Sequence, residues 1–284
     1  MNIVITGSSG FIGRRLIELL SNYKKYKLLC ITRSGSNILN KKNIKYLKCN
    51  LNKINNHKKK IINFNPDIFI HLAWDKIPNF NKINSATNEK TSKNLINFFS
   101  LNTKIKKIIV SGSCFEIKKP NNKYTYFVHA KKNILKFLKK NAKKNNYKYS
   151  WLKIFYVYGP GQRSKSIIPH LISSIKNDTR AKIKEMNASH DFIYIDDVCE
   201  SIILACKNNK KSEILEIGMG KVTSIKKIIK ILEKITIKRI IKKNYTNKKK
   251  NLVLKANIKK TKISNGWSAK ISIENGIKKT FSFF

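Results

Sequence analysis

The stretch that decides the fold is NIVITGSSGFIG, residues 2–13. Residues 2–6 form a short apolar run typical of a buried strand, and the residues after Gly10 show the apolar spacing of a helix. Between them stand Gly7, Gly10 and Gly13, three residues apart. The first glycine permits a tight turn, the second lets an anionic ligand approach the backbone, and the third allows close helix–sheet packing. Because free N–H groups at a helix start favour phosphate, this stretch predicts a dinucleotide-binding turn.

The rest of the chain alternates short apolar runs with longer helical patterns. Strands are predicted at 3–6, 27–32, 44–48, 68–72, 107–111, 150–157 and 214–217, and helices at 10–21, 58–63, 88–101, 128–145, 167–176, 195–207 and 224–234. Strands that alternate with helices predict βαβ units and a parallel sheet. The predicted fold class is therefore α/β, with a Rossmann-type doubly wound parallel sheet.

Two stretches break this alternation, at about 159–190 and from about 236 onward. We therefore expect a smaller cap domain built from discontinuous segments. The predicted division is a dinucleotide-binding domain over 1–158 and 191–220, and a substrate-binding cap over 159–190 and 221–284.

The chain is strongly basic, with 61 Lys and Arg against 15 Asp and Glu and a formal net charge of +46. Such a charge usually suggests a nucleic-acid partner. However, only six of the basic residues are Arg, the residue that nucleic-acid readers favour. Lys, Asn and Ile, which use A/U-rich codons, make up 134 of the 284 residues, so base composition explains the charge. Nucleic-acid binding stays an alternative, based on the acid-free stretch 234–273.

The cysteines indicate the expected compartment. They are odd in number and widely spaced, at Cys30, Cys49, Cys114, Cys199 and Cys206. Without a C-x-x-C pair or a Cys/His metal spacing, they predict reduced thiols and no metal site. No run approaches the roughly 18 apolar residues of a spanning helix. The sequence therefore predicts a cytoplasmic protein with no membrane segment.

Further motifs continue the glycine pattern along the chain. They are Cys49-Asn50-Leu51, His71-Leu72-Ala73-Trp74, Ser111-Gly112-Ser113, Tyr158-Gly159-Pro160-Gly161-Gln162-Arg163, Asp191-Phe192-Ile193-Tyr194-Ile195-Asp196-Asp197-Val198, Ile217-Gly218-Met219-Gly220 and Gly266-Trp267. In this order the set resembles the extended short-chain dehydrogenase/reductase family, in its NAD(P)-dependent sugar-nucleotide epimerase/dehydratase branch. The resemblance covers essentially the whole chain. It implies an epimerase or 4-keto reductase that transfers hydride at a sugar carbon, since the acid pair of dehydratases is absent after Ser113.

The resemblance also implies the residues that contact the cofactor. They are Gly7, Ser9, Gly10, Phe11, Ile12, Gly13, Arg33, Asn50, Leu51, Leu72, Ala73, Trp74 and Lys131. NAD enzymes place an acid at the end of the second strand, whereas Thr32-Arg33-Ser34 has none. Because Arg33 could pair with a 2′-phosphate, NADP is favoured over NAD. Stacking of Arg33 on the adenine is the alternative.

The catalytic pattern of the family is Ser, Tyr and Lys, and one member is missing here. Ser113 and Lys131 match their positions, but the Tyr position holds Phe127. The family Tyr takes a proton from a sugar hydroxyl, and a Lys four residues later lowers its pKa from about 10. Phe cannot do this, so weak or absent hydride transfer is expected. Tyr126 is the possible substitute, although it lies about 100° around the helix; Tyr124, His129, Cys114 and Glu116 are also near in sequence.

Substrate contacts are expected from Cys114, Phe115, Gln162, Arg163 and His190. Arg163 is expected at the diphosphate of a nucleotide sugar, with a solvated loop position as the alternative. His190 stands where the family often has Arg, while the neighbouring Asp191, Asp196 and Asp197 are expected to fix loops and cap a helix. A homodimer is expected through the helices predicted at 88–101 and 128–145. A second function stays open, that of a catalytically degenerate NAD(P)-binding protein acting as a sensor or partner subunit.

Overall fold

The computed structural model describes residues 1–34, 39–118, 122–183, 185–208, 210–239, 242–243 and 253–284. Within these residues the chain divides into two compact units. The first unit consists of Met1–Lys153 and Cys199–Leu215, and the second of Ile154–Val198 and Glu216–Phe284.

The secondary structure follows the predicted alternation over most of the chain. In chain order the elements are β1 (Asn2–Thr6), α1 (Phe11–Ser21), β2 (Lys27–Thr32), β3 (Ile44–Lys48), α2 (Lys58–Phe64), β4 (Ile68–His71), α3 (Lys82–Asn102), β5 (Lys107–Ser113), α4 (Thr125–Lys144), β6 (Lys148–Ile154), β7 (Tyr156–Tyr158), α5 (Ile167–Lys176), β8 (Ala181–Lys182), β9 (Ser189–His190), β10 (Phe192–Tyr194), α6 (Ile195–Lys207), β11 (Glu213–Ile217), β12 (Thr223–Ser224), α7 (Ile225–Thr236), β13 (Lys242–Lys243), α8 (Ile258–Asn265) and α9 (Ile273–Phe283). Short 3-10 turns cover Leu51–His57, Cys114–Glu116 and Asn122–Tyr124.

A seven-stranded sheet, in the order β11-β6-β5-β4-β1-β2-β3, forms the centre of the fold. β1 pairs in parallel with both β2 and β4, which confirms the predicted Rossmann-type sheet. Its central strands are continuous apolar runs because side chains on both faces are covered by helices. Val4, Phe69 and Ile108 are fully buried in one core that also contains Phe99 of α3 and Trp151 of β6. The carboxyl ends of β1, β2 and β4 therefore form one edge of the sheet.

Several element boundaries differ from the sequence prediction. The single strand predicted at 150–157 was wrong: β6 ends at Ile154, and β7 pairs in parallel with β10 in a separate two-stranded sheet. α3 begins six residues earlier than predicted, because the side chain of Asn81 accepts a hydrogen bond from the Asn84 N–H at 2.8 Å and caps the helix. The helices α8 and α9 were not predicted.

In the second unit, two buried aspartates form hydrogen bonds with segments that are far apart in the sequence. The Asp191 carboxylate accepts hydrogen bonds from the backbone N–H groups of Met219, Gly220 and Ala256 at 2.7–3.0 Å. Asp197 accepts two more, from the N–H groups of Lys270 and Ile271, each at 3.0 Å. These contacts fit the predicted loop-fixing role, because a carboxylate that accepts several N–H bonds anchors the segments that donate them.

The structure also bears on the cysteines, on membrane-spanning helices and on metal-ligand groups. All five cysteines are free and buried. Among the residues described, no helix has the length and apolar content needed to span a membrane, and no group of three or more His, Cys, Asp or Glu side chains could hold a metal ion. Of the acid-free stretch 234–273, residues 240–241 and 244–252 lie outside the described residues.

Candidate functional site

The glycine turn joins β1 to α1 in a tightly packed arrangement. Gly7 has a φ of +73°, and the Gly10 N–H donates to its carbonyl oxygen at 3.0 Å. A Cβ on Gly13 would overlap the carbonyl oxygen of Gly7, so the start of α1 lies directly against the turn. A Cβ on Gly10 would approach only that same oxygen, at 3.1 Å. The turn therefore leaves open space beside Gly10 at the N-terminus of a helix.

Neighbouring contacts hold this turn in place. The Ser8 hydroxyl donates to the Ile31 carbonyl of β2 at 2.9 Å, and the Arg14 Nε donates to the Ser9 carbonyl at 2.9 Å. Gly10, at the N-cap of α1, has no side chain to accept from the first N–H groups of the helix. Backbone donors at a helix start, next to an open glycine, fit the pyrophosphate of a dinucleotide.

A buried histidine connects β1, β4 and α3 behind this turn. His71 Nδ1 lies 2.7 Å from the Thr6 hydroxyl, and Nε2 lies 2.9 Å from the Ser92 hydroxyl. Since Ser92 donates its proton to the Asn88 carbonyl at 2.7 Å, it accepts from His71 Nε2, and Thr6 donates to Nδ1. Burial lowers the pKa of His71 to about 3, and the Lys131 charge adds to this. His71 is therefore a neutral structural connection, which the motif alone did not reveal.

The segments after β2, β3 and β4 hold further predicted cofactor contacts. Arg33 forms an ion pair with Asp75, with 3.0 Å between Nη1 and Oδ1. Asn50 is exposed, and its side-chain oxygen accepts from the Asn52 N–H at 3.1 Å. Leu72 and Ala73 are partly buried. Their backbone lies so close to Gly7 that a Cβ added to Gly7 would fall 2.6 Å from the Ala73 nitrogen. The predicted contacts at the ends of β2 and β4 are thus brought beside the glycine turn.

Ser113 lies at the end of β5, within a buried polar group. Its hydroxyl accepts a hydrogen bond from the Phe115 N–H at 3.3 Å. The Glu116 carboxylate accepts from the Ser113 N–H at 2.6 Å and from the Trp151 indole N–H at 3.0 Å. Burial raises the pKa of Glu116, although these bonds and the charge of Lys131 oppose the rise. Glu116 thus holds the backbone of Ser113 in a fixed position.

Lys131 and Phe127 lie side by side on the buried face of α4. The ammonium of Lys131 donates to the Ser111 carbonyl at 2.7 Å, its one hydrogen bond within the described part of the chain. It also lies 4.2 Å from the centre of the Trp74 ring and 5.8 Å from that of Phe127. Burial lowers the pKa of Lys131 to about 8, against the opposing charge of Glu116. The neighbours of this cation are therefore mainly aromatic faces.

Phe127 belongs to a chain of aromatic rings. It meets Trp74 edge-on at 4.9 Å and Phe80 at 4.6 Å between ring centres. Phe80 in turn lies 5.6 Å from Tyr124, which stacks on Phe115 at 3.9 Å. The Trp74 indole nitrogen is buried and has no hydrogen-bond partner within the described residues. The position predicted to hold a catalytic hydroxyl is thus filled by apolar ring contacts.

The other candidates for the missing hydroxyl lie elsewhere. Tyr126 is in the first turn of α4, with 47% of its surface exposed, while Phe127 is 7% exposed. His129 is exposed and Cys114 is buried. The residue whose ring faces Lys131 is Phe127 and not Tyr126.

Of the predicted substrate contacts, Cys114 and Phe115 lie in the first unit, and Gln162, Arg163 and His190 lie in the second, around β7 and β9. The Gln162 side-chain N–H donates to the Val157 carbonyl at 2.9 Å, and the His190 ring stacks on Tyr156 at 4.0 Å. Within the described residues, Gln162 Oε1 and His190 Nδ1 are buried without a hydrogen-bond partner. Burial lowers the pKa of His190, so this ring is neutral at pH 7. Arg163 is exposed.

Comparisons with known proteins show which family and fold the chain resembles. The model of the NAD dependent epimerase/dehydratase family matches residues 3–218. A CDP-abequose synthase of Salmonella muenchen is 31% identical over 136 residues, which cover 46% of this chain and 46% of that protein. An ADP-L-glycero-D-manno-heptose-6-epimerase of Brachyspira hyodysenteriae is 27% identical and covers 98% of this chain and 96% of its own length.

A solved structure shows the same fold over the whole chain. It is a UDP-glucuronic acid 4-epimerase from Bacillus cereus in complex with UDP-glucuronic acid and NAD, with a TM-score of 0.85 and 22% identity. The match covers 100% of this chain and 98% of that one.

Proposed function

Because the chain belongs to the NAD dependent epimerase/dehydratase family, we propose that it is an NAD(P)-dependent nucleotide-sugar epimerase or 4-keto reductase whose hydride transfer is impaired by Phe127. A nicotinamide cofactor supplies the hydride acceptor or donor for such reactions. The protein supplies binding, orientation and proton transfer, and these depend on the residues described above.

The glycine turn is the proposed site for the pyrophosphate of the cofactor. The open side of Gly10 and the N–H groups of α1 support this assignment. Arg33, at the end of β2, is the proposed ligand for a 2′-phosphate, which makes NADP the favoured cofactor. Trp74 follows β4, on the other side of β1 from β2, and lies against Lys131; both are proposed to contact the nicotinamide half.

The observation that best supports impaired chemistry is the placement of Phe127 beside Lys131. A general base must come within hydrogen-bond reach of the proton that it removes. The ring nearest the Lys131 ammonium on α4 has no hydroxyl, and Tyr126 lies toward solvent. Ser113 can orient a substrate oxygen, but Phe127 has no phenolate to accept the proton of a substrate hydroxyl.

Replacing Phe127 with Tyr is the direct experiment. We expect Phe127→Tyr to raise turnover of nucleotide sugars at least about tenfold, since a positioned base contributes at least that much. NADH or NADPH formation and sugar isomer ratios, measured over a panel of UDP-, CDP-, ADP- and dTDP-sugars, report the change.

Two further variants serve as controls. Phe127→Leu removes the ring without adding a hydroxyl and should not raise turnover. Efficient turnover by the wild type that is lost in Tyr126→Phe would instead make Tyr126 the base and contradict the proposal.

A second candidate function is that of a cofactor-binding protein without chemistry. The aromatic chain from Trp74 to Phe115 favours it, because packed rings occupy the position where the family has its catalytic hydroxyl. In that case NADPH binds normally, and Phe127→Tyr remains inactive with every sugar nucleotide in the panel.

The proposed substrate contacts are Cys114, Phe115, Gln162, Arg163 and His190. Gln162 and His190 each have a buried polar atom without a partner among the described residues, which supports a ligand contact at these two side chains, since buried polar groups normally have partners. Because His190 is neutral, Arg163 is the proposed charged contact for a diphosphate. A cytoplasmic homodimer formed through α3 and α4 completes the proposal.

A further inference from the structure

The ion pair between Arg33 and Asp75 crosses the end of β1. Arg33 directly follows β2, and Asp75 lies four residues after β4. Both strands are neighbours of β1, so the two backbones stand about two strand spacings, or roughly 10 Å, apart. The 3.0 Å contact therefore lies across the carboxyl end of β1, where the glycine turn begins.

The two partners differ in how firmly they are held. The Asp75 N–H donates to the Asn88 side-chain oxygen at 2.7 Å, and the Asp75 carbonyl accepts from the Asn88 amide at 3.3 Å. Asn88 is itself buried and donates to the Asn84 carbonyl at 2.7 Å. By contrast, the side chain of Arg33 is 74% exposed. The carboxylate is thus presented from a fixed backbone, and the guanidinium is free to exchange partners.

The two possible partners of Arg33 compete for the same donors. A guanidinium binds a carboxylate and a phosphate through the same planar fork of N–H groups. A dinucleotide with a 2′-phosphate must draw Arg33 away from Asp75 or tolerate the carboxylate beside its own negative charge. A dinucleotide with a free 2′-hydroxyl does neither.

We propose that Asp75 is a specificity-determining residue, which weakens binding of a 2′-phosphorylated dinucleotide relative to an unphosphorylated one by holding Arg33. The proposal rests on the proposed binding of a dinucleotide at the glycine turn. Arg33 favours the 2′-phosphorylated dinucleotide and Asp75 disfavours it. The ratio of affinities for NADP and NAD therefore depends on the pair and not on either residue alone.

Titration of wild type and Asp75→Asn with NADPH and NADH, followed by cofactor fluorescence and by calorimetry, tests this. At low ionic strength we expect the Kd for NADPH to fall about threefold to fivefold in Asp75→Asn, the range of an exposed ion pair. The Kd for NADH should change less than about twofold. Salt should reduce the difference, since the groups are exposed.

Two control variants isolate the pair. Glu18→Gln removes an exposed carboxylate that pairs with Arg15 on α1, and it should leave the NADPH/NADH ratio unchanged. In an Arg33→Gln background, Asp75→Asn should change that ratio by a smaller factor than in wild type, because only direct repulsion between the carboxylate and the 2′-phosphate remains. The same factor in both backgrounds would show that Asp75 does not act through Arg33.

The outcomes separate the proposal from the function on which it rests. If Asp75→Asn binds both NADPH and NADH more tightly by the same factor, Asp75 does not set specificity. The same holds if the variant binds NADH normally and its ratio of Kd values for NADPH and NADH is unchanged. Either result overturns the role of Asp75 and leaves the proposed function standing. Failure of the wild type to bind either cofactor overturns the proposed function and this inference with it.

Discussion

Lys131 is a buried cation whose charge depends on its neighbours. Its ammonium has aromatic faces from Trp74 and Phe127 on one side and the Ser111 carbonyl on another. Cation–π contacts stabilise the charged form, but they replace only part of the lost hydration. This is why the pKa of Lys131 falls to about 8, close to neutral pH.

This pKa predicts a pH-dependent contribution to stability. Below pH 8, Lys131 is protonated in both states and the folded protein bears the cost of a buried charge. Between about 8 and the unfolded value of about 10.4, the unfolded chain holds more protons, so stability rises with pH. We expect the free energy of unfolding of wild type, relative to Lys131→Met, to rise by about 2 kcal/mol between pH 7 and 9.5.

Urea unfolding at both pH values measures this difference. Lys132→Met is the matched control, because Lys132 is the next residue of α4 and is exposed. Its difference from wild type should not change with pH. If the difference in free energy of unfolding from wild type changes with pH equally for Lys131→Met and Lys132→Met, burial does not destabilise the Lys131 ammonium.

The sequence predicted the residues whose roles follow from their spacing within one motif. It missed the residues whose roles depend on contacts with residues far away along the chain. Phe127 and Lys131 are four residues apart on one helix, so their neighbourhood was visible in the motif. Asp75 meets Arg33 only because β2 and β4 flank β1, a fact of strand order that no local pattern contains. Glu116 likewise depends on Trp151, 35 residues away.

At the scale of elements, the contact between β1 and α1 depends on Gly13. A Cβ there would overlap the Gly7 carbonyl, which is backbone and cannot move aside without shifting the turn. We expect Gly13→Ala to cost about 1–3 kcal/mol of stability and to abolish NADPH binding. Thermal unfolding and cofactor fluorescence measure the two effects.

Gly10→Ala separates binding from folding in the same turn. Its φ of −78° suits alanine, and the added Cβ would approach only the Gly7 oxygen at 3.1 Å. We expect this variant to lose less stability than Gly13→Ala, because the Gly7 oxygen must give way by far less, and to bind NADPH weakly, because the methyl group fills the space left for the pyrophosphate. If it binds with wild-type affinity, the cofactor does not approach the backbone at Gly10.

Elements were predictable where apolar periodicity was strong. α5 and α6 begin and end at the predicted residues, because their apolar residues recur at helical spacing. α8 is short and rich in lysine, so its sequence shows little amphipathic pattern. α9 contains Gly276, normally unfavourable inside a helix. In the structure that glycine allows close approach of the Tyr158 ring, since a Cβ there would overlap the phenol oxygen.

At the scale of the whole molecule, lysine dominates the charge, and α4 shows how it is distributed between a buried and an exposed face. On α4, the buried face contains Phe127 and Lys131, whereas Lys132, Lys136 and Lys139 are exposed. With 61 basic and 15 acidic residues, most of these charges have no carboxylate with which to pair. A net charge of +46 therefore destabilises the compact state by self-repulsion, apart from any role in ligand binding.

Salt should consequently stabilise the protein. The Debye length falls from about 20 Å at 20 mM to about 6 Å at 300 mM, which screens repulsion between neighbouring lysines. We expect the Tm to rise by about 5 °C over this range and to level off above it. Equal rises in NaCl and NaF at the same ionic strength would indicate screening and not binding of one anion. A constant Tm would mean that the exposed lysines are far enough apart to be neutral for stability, and a falling Tm would mean that favourable ion pairs outweigh their repulsion. In either case the net charge would have no folding cost for a polyanionic partner to relieve.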